Sequence, residues 1–392
     1  MDSPEVEPPG SQHRHPVPRV VALVAAVLAA VLAAGVVTHL RRSSPAAALP
    51  ASPSPSVSGS GSLQQQVRAR VPELQAFVER ERGLRFRRPV QVDVLKDRAF
   101  LRVLHADEVP VGAGEDQDAS FSALGLLPVE EDFEQSIDDE IDDTVGGYYD
   151  FSTRRVSLRA DLRAPLREAV LVHELTHALQ AQHFLLSRQP RGDADETYTA
   201  LTALIEGDAT RVDQAWYAAQ PPDVQVRLRR QGGYGVAPVL SSDLVPALLD
   251  FPYVAGPPLV QGLLDEGGQA RLDHAFEMPP LTTAQVLHPE RIAEGAPLAL
   301  ATPPGRGRQV DEGVLGELGL ALLLRRDPLR GGPQENWVAD RYATYRSGGR
   351  TCTVADLEVV RSGGEALVQA LRDAGLQAET LRPTRVRLSR CA

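Results

Sequence analysis

The chain has 392 residues, 43% of them hydrophobic and 24% charged, which gives length for one large domain or two lobes and excludes wholesale disorder. A formal net charge of -11 argues against nucleic acid or an anionic lipid surface as the main partner. Two cysteines, Cys352 and Cys391, exclude a Cys-rich zinc module and a disulfide-dense scaffold; in an exported chain they could pair and close the C-terminal segment.

Residues 1–19 read as a cytoplasmic tail. Val20 to Val37 is an unbroken run of Val, Ala, Leu and Gly, and with Thr38, His39 and Leu40 the segment 20–40 is just long enough to cross a bilayer. Arg14 and Arg19 precede it and Arg41 and Arg42 come after it, so flanking charge does not set the orientation. An N-terminal apolar segment exports the chain beyond it, which predicts a single-pass anchor with the remainder outside the cytoplasm. Ala46-Ala47-Ala48 leaves cleavage and secretion as the alternative. The Ser-, Pro- and Ala-rich stretch 41–62 reads as a spacer, and the folded part spans 63–392.

Within that part, Val67, Val71, Leu74, Phe77 and Val78 predict a helix over Gln64 to Arg82. Pro89 to Leu95 alternates as a strand, Lys96 to Leu104 continues as a helix, and Glu130 to Ile141 predicts another, ended by Gly146-Gly147. Tyr148 to Phe151 and Arg155 to Arg159 read as a hairpin. Pro165 opens a long helix reaching about Leu186. A loop over 188–193 then leads to a helix from about Ala194 to Ala219. Beyond it the chain reads as mostly helical, broken by Pro- and Gly-rich loops near 232–238, 255–258, 278–290, 302–307 and 327–333. The expected class is α+β: an N-terminal lobe over 63–186 with a small mixed sheet, and a helical lobe over 187–392.

The chemistry concentrates in Val172-His173-Glu174-Leu175-Thr176-His177-Ala178. Two histidines four apart on a helix project from one face, where their imidazoles can share one Zn2+ ion. Glu174 sits beside the open position of such a metal, placed to take a proton from the attacking water and pass it to a leaving amine. A third ligand is needed, and Glu206, followed by Gly207, lies 29 residues beyond His177 on the next predicted helix. A Glu in an otherwise apolar helical stretch is costly to bury unless it meets a cation.

The histidine pair, the spacing to Glu206-Gly207 and the preceding strand resemble the gluzincin, thermolysin-like metallopeptidases with their HExxH helix. The strings 173–180 and Pro279 to Pro289 also resemble an uncharacterised bacterial family of predicted zinc peptidases. The resemblance spans roughly residues 75–295. It implies a zincin-like domain, Zn2+ as cofactor, peptide or protein as substrate, and Arg155 to Arg159 as an edge strand receiving extended substrate.

Two departures matter. Gluzincins often carry an Asp four residues after the third ligand to orient a zinc-bound His, and that position is Thr210; Asp208, Asp195 and Glu196 are the possible substitutes. His183 has the spacing of a third ligand of another zinc-peptidase group, but Gln180 replaces the Gly that would turn the chain there. For the oxyanion, the resemblance points to Tyr253, with His288 as the other candidate.

The acidic residues Asp138 to Glu140, Asp142 and Asp143 lack the spacing of a calcium loop and read as a solvated helix face. The Gly-Gly pairs fit no phosphate loop, so no nucleotide is expected. Two functions remain open. One is an extracytoplasmic zinc metallopeptidase, with His173, His177 and Glu206 as ligands, Glu174 as general base, and Tyr253 or His288 on the oxyanion. The other is a degenerate zinc-binding envelope scaffold.

Overall fold

A computed structural model describes residues 62–106, 114–186, 194–232, 234, 240–360 and 363–392. The apolar run 20–40, the spacer before Ser62 and the 188–193 loop lie outside the described residues. Among the described residues no helix is long and apolar enough to cross a membrane.

Helix α1 (Leu63–Arg82) starts at a capping box, in which the Gln65 amide N–H donates to Ser62 Oγ and the Ser62 N–H to Gln65 Oε1. It ends at Gly83, whose φ of 66° supplies the left-handed turn that stops the helix. Strand β1 (Gln91–Leu95) and helix α2 (Asp97–Leu104) come next. Helix α3 (Gly114–Leu124) has no counterpart among the elements expected from the sequence, and α4 (Phe133–Thr144) is capped by Asp132.

Strands β2 (Gly147–Asp150) and β3 (Arg155–Arg159) form the expected hairpin. Its turn is tied by Asp150, whose carboxylate accepts from the backbone and hydroxyl groups of Ser152 and Thr153. The sheet order is β1-β3-β2, with β1 parallel to β3. Arg155–Arg159 is therefore the central strand and not the expected edge. The edge facing the functional helix is β2.

Helix α5 (Leu166–His183) carries the His173 motif. It is buried around its whole circumference from Ala169 to Gln180, as expected of a helix without a wide polar face. Helix α6 (Ala194–Ala218) packs on it, α7 (Pro222–Gln231) comes after, and α8 (Leu244–Glu277) lies along α6. The loop expected at 255–258 is absent: Pro257 and Pro258 sit inside α8, and the break falls at Gly267 and Gly268, where φ is -163° and 64°. The α6–α8 crossing is exceptionally close. A Cβ on Gly207 would lie 2.3 Å from the Gly256 carbonyl carbon, and one on Gly256 would lie 2.2 Å from the Ala203 oxygen.

The expected helical C-terminal lobe is wrong in its last third. After α9 (Thr283–Leu287), β4 (Arg308–Gly313) and α10 (Gly316–Leu323) come β5 (Trp337–Ser347), β6 (Arg350–Val359), α11 (Gly364–Asp373), β7 (Gln377–Arg382) and β8 (Arg385–Cys391). They build a five-stranded antiparallel sheet of order β4-β5-β6-β8-β7. On β6 only Thr353, Ala355, Leu357 and Val359 face the core, a two-residue alternation blurred by its small and polar members. Cys352 pairs directly with Cys391 across β6 and β8, and the two form a disulfide.

Three cores result. One joins α2, α4, α6 and α8; another joins α1, the small sheet, α5 and the end of α6; the last lies under the C-terminal sheet. Helices α5 and α6 meet where the first two adjoin, and the site is built there.

Candidate metal centre

His173 and His177 project from one face of α5, with ring centroids 4.6 Å apart, and both are fully buried. Glu206 comes to them from α6. Its Oε2 lies 3.0 Å from His173 Nε2 and 3.4 Å from His177 Nε2. One ligand atom from each of the three falls within 4.8 Å of the others. Among the described residues, His177 Nε2 and Glu206 Oε1 are buried and make no hydrogen bond of good geometry. Burying such atoms without a partner is costly, and a dication between them would satisfy both. Two imidazoles and one carboxylate leave a fourth position open, the donor set of a hydrolytic zinc centre. The residues therefore fit the metal.

Electrostatics agree with that fit. Burial opposes charge on His173, but hydrogen bonds to Asp213 and Glu206 outweigh it and push its pKa up to about 10. Burial would raise Glu206, while the two imidazoles hold it below its ordinary value. The pocket is thus arranged to stabilise positive charge at the point where the three side chains converge.

Glu174, one residue after His173, is fully buried. Burial drives its carboxyl well above the usual carboxylate range, with the charge of His173 opposing and that of Glu206 adding to the shift. It lies against β2: a Cβ on Gly147 would come 3.1 Å from Glu174 Oε1 and 2.5 Å from Val170 Cγ1, so only glycine lets the strand approach this closely.

The support around the ligands differs from the expectation at Thr210. That residue is buried and its hydroxyl has no partner, so it orients nothing. Asp213, seven residues after Glu206, does this instead: its Oδ2 is 2.9 Å from His173 Nδ1, and its Oδ1 accepts from the Tyr234 hydroxyl at 3.3 Å. The signal was in the sequence, because seven residues are two helical turns and keep Asp213 near the face of Glu206. Gln180, three residues after His177, was passed over as well; its Oε1 is 3.0 Å from His177 Nδ1. Of the substitutes weighed, Asp208 holds Gln180, whereas Glu196 accepts from the Thr283 N–H and hydroxyl. The side chain of Asp195 lies outside the described residues.

Tyr253 reaches the site from α8, its ring stacked 6.3 Å from that of His173. His288 does not join the cluster; its Nε2 pairs with the buried Glu317 at 3.0 Å. His183 is the last residue of α5 and bonds the Arg85 carbonyl at 2.7 Å, consistent with a helix that continues past Gln180.

Residues 133–220 match the model of a family described as a putative metallopeptidase family (DUF6782). The matched segment is less than a quarter of the chain, yet it holds His173, Glu174, His177, Gln180, Glu206, Asp208 and Asp213. The match supports a metallopeptidase acting on peptides. Neither the curated proteins nor the solved structures contain a match to the chain.

Proposed function

We propose that the protein is a zinc-dependent metallopeptidase of zincin type, with His173, His177 and Glu206 as metal ligands and Glu174 as general base. The observation that carries this is the convergence of three buried ligand atoms beside the buried carboxylate of Glu174. Zinc, when bound, would supply Lewis acidity at the scissile carbonyl and lower the pKa of the attacking water. The chain's own residues do the rest. Glu174 is raised in pKa, which suits a group that takes a proton from water and returns it to the leaving amine. Tyr253, beside His173, is placed to donate to the oxyanion. Strand β2 pairs on one side with β3 and borders Glu174 on α5, so it is the candidate edge for an extended peptide.

The anchor and the location outside the cytoplasm rest on Val20 to Val37 alone and remain part of this reading. The scaffold alternative is disfavoured by Glu174, which a passive zinc site does not need.

The test is Glu174→Gln in the full-length chain, with zinc content and hydrolysis of an unstructured protein both measured. Retained zinc with hydrolysis reduced by about two orders of magnitude or more supports the reading. Zinc bound equally with hydrolysis absent from both parent and variant would favour the scaffold, and a parent that binds no zinc would refute both.

A further inference from the structure

Arg82, the last residue of α1, is buried with 1% of its surface exposed, far from where an Arg is ordinarily found. Its Nε lies 2.7 Å from Asp208 Oδ2, and its Nη2 lies 2.8 Å from Asp273 Oδ1 on α8. Its guanidinium stands within 6 Å of the rings of Phe184 and Phe276, at 5.9 and 5.7 Å. Asp208 in turn accepts from Gln180 Nε2 at 2.9 Å, and the same nitrogen donates to the Ile205 carbonyl at 3.1 Å.

These contacts settle which way the Gln180 amide faces. Two acceptors, a carboxylate and a carbonyl, surround one end, so the NH2 must occupy it. The carbonyl oxygen is then at the other end, 3.0 Å from His177 Nδ1. An acceptor there requires Nδ1 to carry a proton, so in the neutral ring the lone pair lies on Nε2, the atom 3.4 Å from Glu206 Oε2. His173 is oriented by the carboxylate of Asp213, but His177 is oriented by a neutral amide whose direction is set two groups further back.

We propose that Arg82, Asp208 and Gln180 form a positioning relay that fixes the tautomer and orientation of His177 for metal binding. This rests on the metallopeptidase reading for its purpose, but the tautomer itself requires no metal. The relay also explains why an Arg at the end of α1 is buried: it anchors Asp208 against a carboxylate's tendency to leave the interior, and so joins α1, α5, α6 and α8 at one point.

The experiment uses the full-length chain with 15N-labelled histidine. Imidazole nitrogen shifts are read in the metal-free protein, and zinc affinity is read by competition with a chromogenic chelator. The variants are Gln180→Leu, which removes both ends of the amide's bonding, and Asp208→Asn, which touches neither histidine. The parent is expected to show Nδ1 of His177 protonated throughout, with the Nδ1–H tautomer alone in the neutral ring. Both variants are expected to show mixed tautomers and zinc bound about 10- to 100-fold more weakly. A purely structural role would lower the melting temperature and leave the His177 shifts alone. The relay is overturned if folded Asp208→Asn keeps the parent's shifts and a zinc affinity within about threefold, even where Gln180→Leu fails to fold. A parent that binds no zinc would remove the metallopeptidase reading, and the metal-free shifts would still decide the relay.

Discussion

Asp213 Oδ2 lies 2.9 Å from Nδ1 of His173, with both groups fully buried, and this contact takes the place of the carboxylate expected at position 210. The imidazole is held from one side by Asp213 and meets Glu206 on the other, so its Nε2 points into the cluster. Asp213→Ala would leave His173 Nδ1 and the Tyr234 hydroxyl without their acceptor. Zinc affinity is expected to fall about 10- to 100-fold, measured by chelator competition. Tyr234→Phe, which loses only the outer contact at 3.3 Å, should have a smaller effect; equal affinities in all three proteins would dismiss the role of Asp213.

The α6–α8 crossing at Gly207 and Gly256 seats Tyr253 over His173. Gly207→Ala would insert a methyl group 2.3 Å from backbone, which forces the helices apart. A loss of about 1–3 kcal/mol in stability is expected, read by chemical denaturation. Because Glu206 precedes this residue, zinc affinity should fall with it. An alanine that left both unchanged would show that the crossing can relax freely.

The disulfide between Cys352 and Cys391 closes a loop with a sequence separation of 39 at the far end of the C-terminal sheet. Replacing both by Ala is expected to cost about 2–4 kcal/mol, chiefly by freeing the unfolded chain. The candidate ligands and Glu174 lie on α5 and α6, so zinc affinity measured at 25 °C on the folded variant should match the parent. Loss of zinc in a folded variant would reveal coupling between the sheet and the site.

Asp250 on α8 gives a pH signature. Burial, aided by Glu140, pushes its pKa from 3.8 up to about 6. The folded protein then holds this proton more tightly than the unfolded chain does. Stability from this group is present at low pH and declines as pH rises through the window from 3.8 to about 6. Asp250→Asn should leave stability near pH 3 unchanged and raise it above pH 7 by about 1 kcal/mol, a figure reduced for the group's partial exposure. Denaturant melts at the two pH values compare directly, and a variant less stable at both would place Asp250 in an interaction that needs its charge.

The local features of this protein were legible in the amino-acid sequence. Apolar periodicity predicts α1, Pro165 marks the start of α5, a loop separates it from α6, the hairpin of β2 and β3 is expected, and the spacing His173-Glu174-His177 puts two imidazoles on one helical face. These are consequences of chain geometry over a few residues, and no distant contact is needed to produce them.

What lay beyond such windows only the tertiary structure decided. The C-terminal sheet was hidden because Thr353 and Ala355 face inward where larger apolar residues would have announced a strand. The order β1-β3-β2 depends on a parallel pairing between segments more than sixty residues apart, which no local pattern encodes. Glu206 could be nominated from the sequence because its helix is the next one along. Arg82, Asp208 and Gln180 could not be linked to His177, because an Arg reads as surface until packing surrounds it and a Gln amide has no direction until both its ends have neighbours. The sequence by itself determined the candidate ligands His173, His177 and Glu206; the packing of four helices decided which further side chains hold them in place.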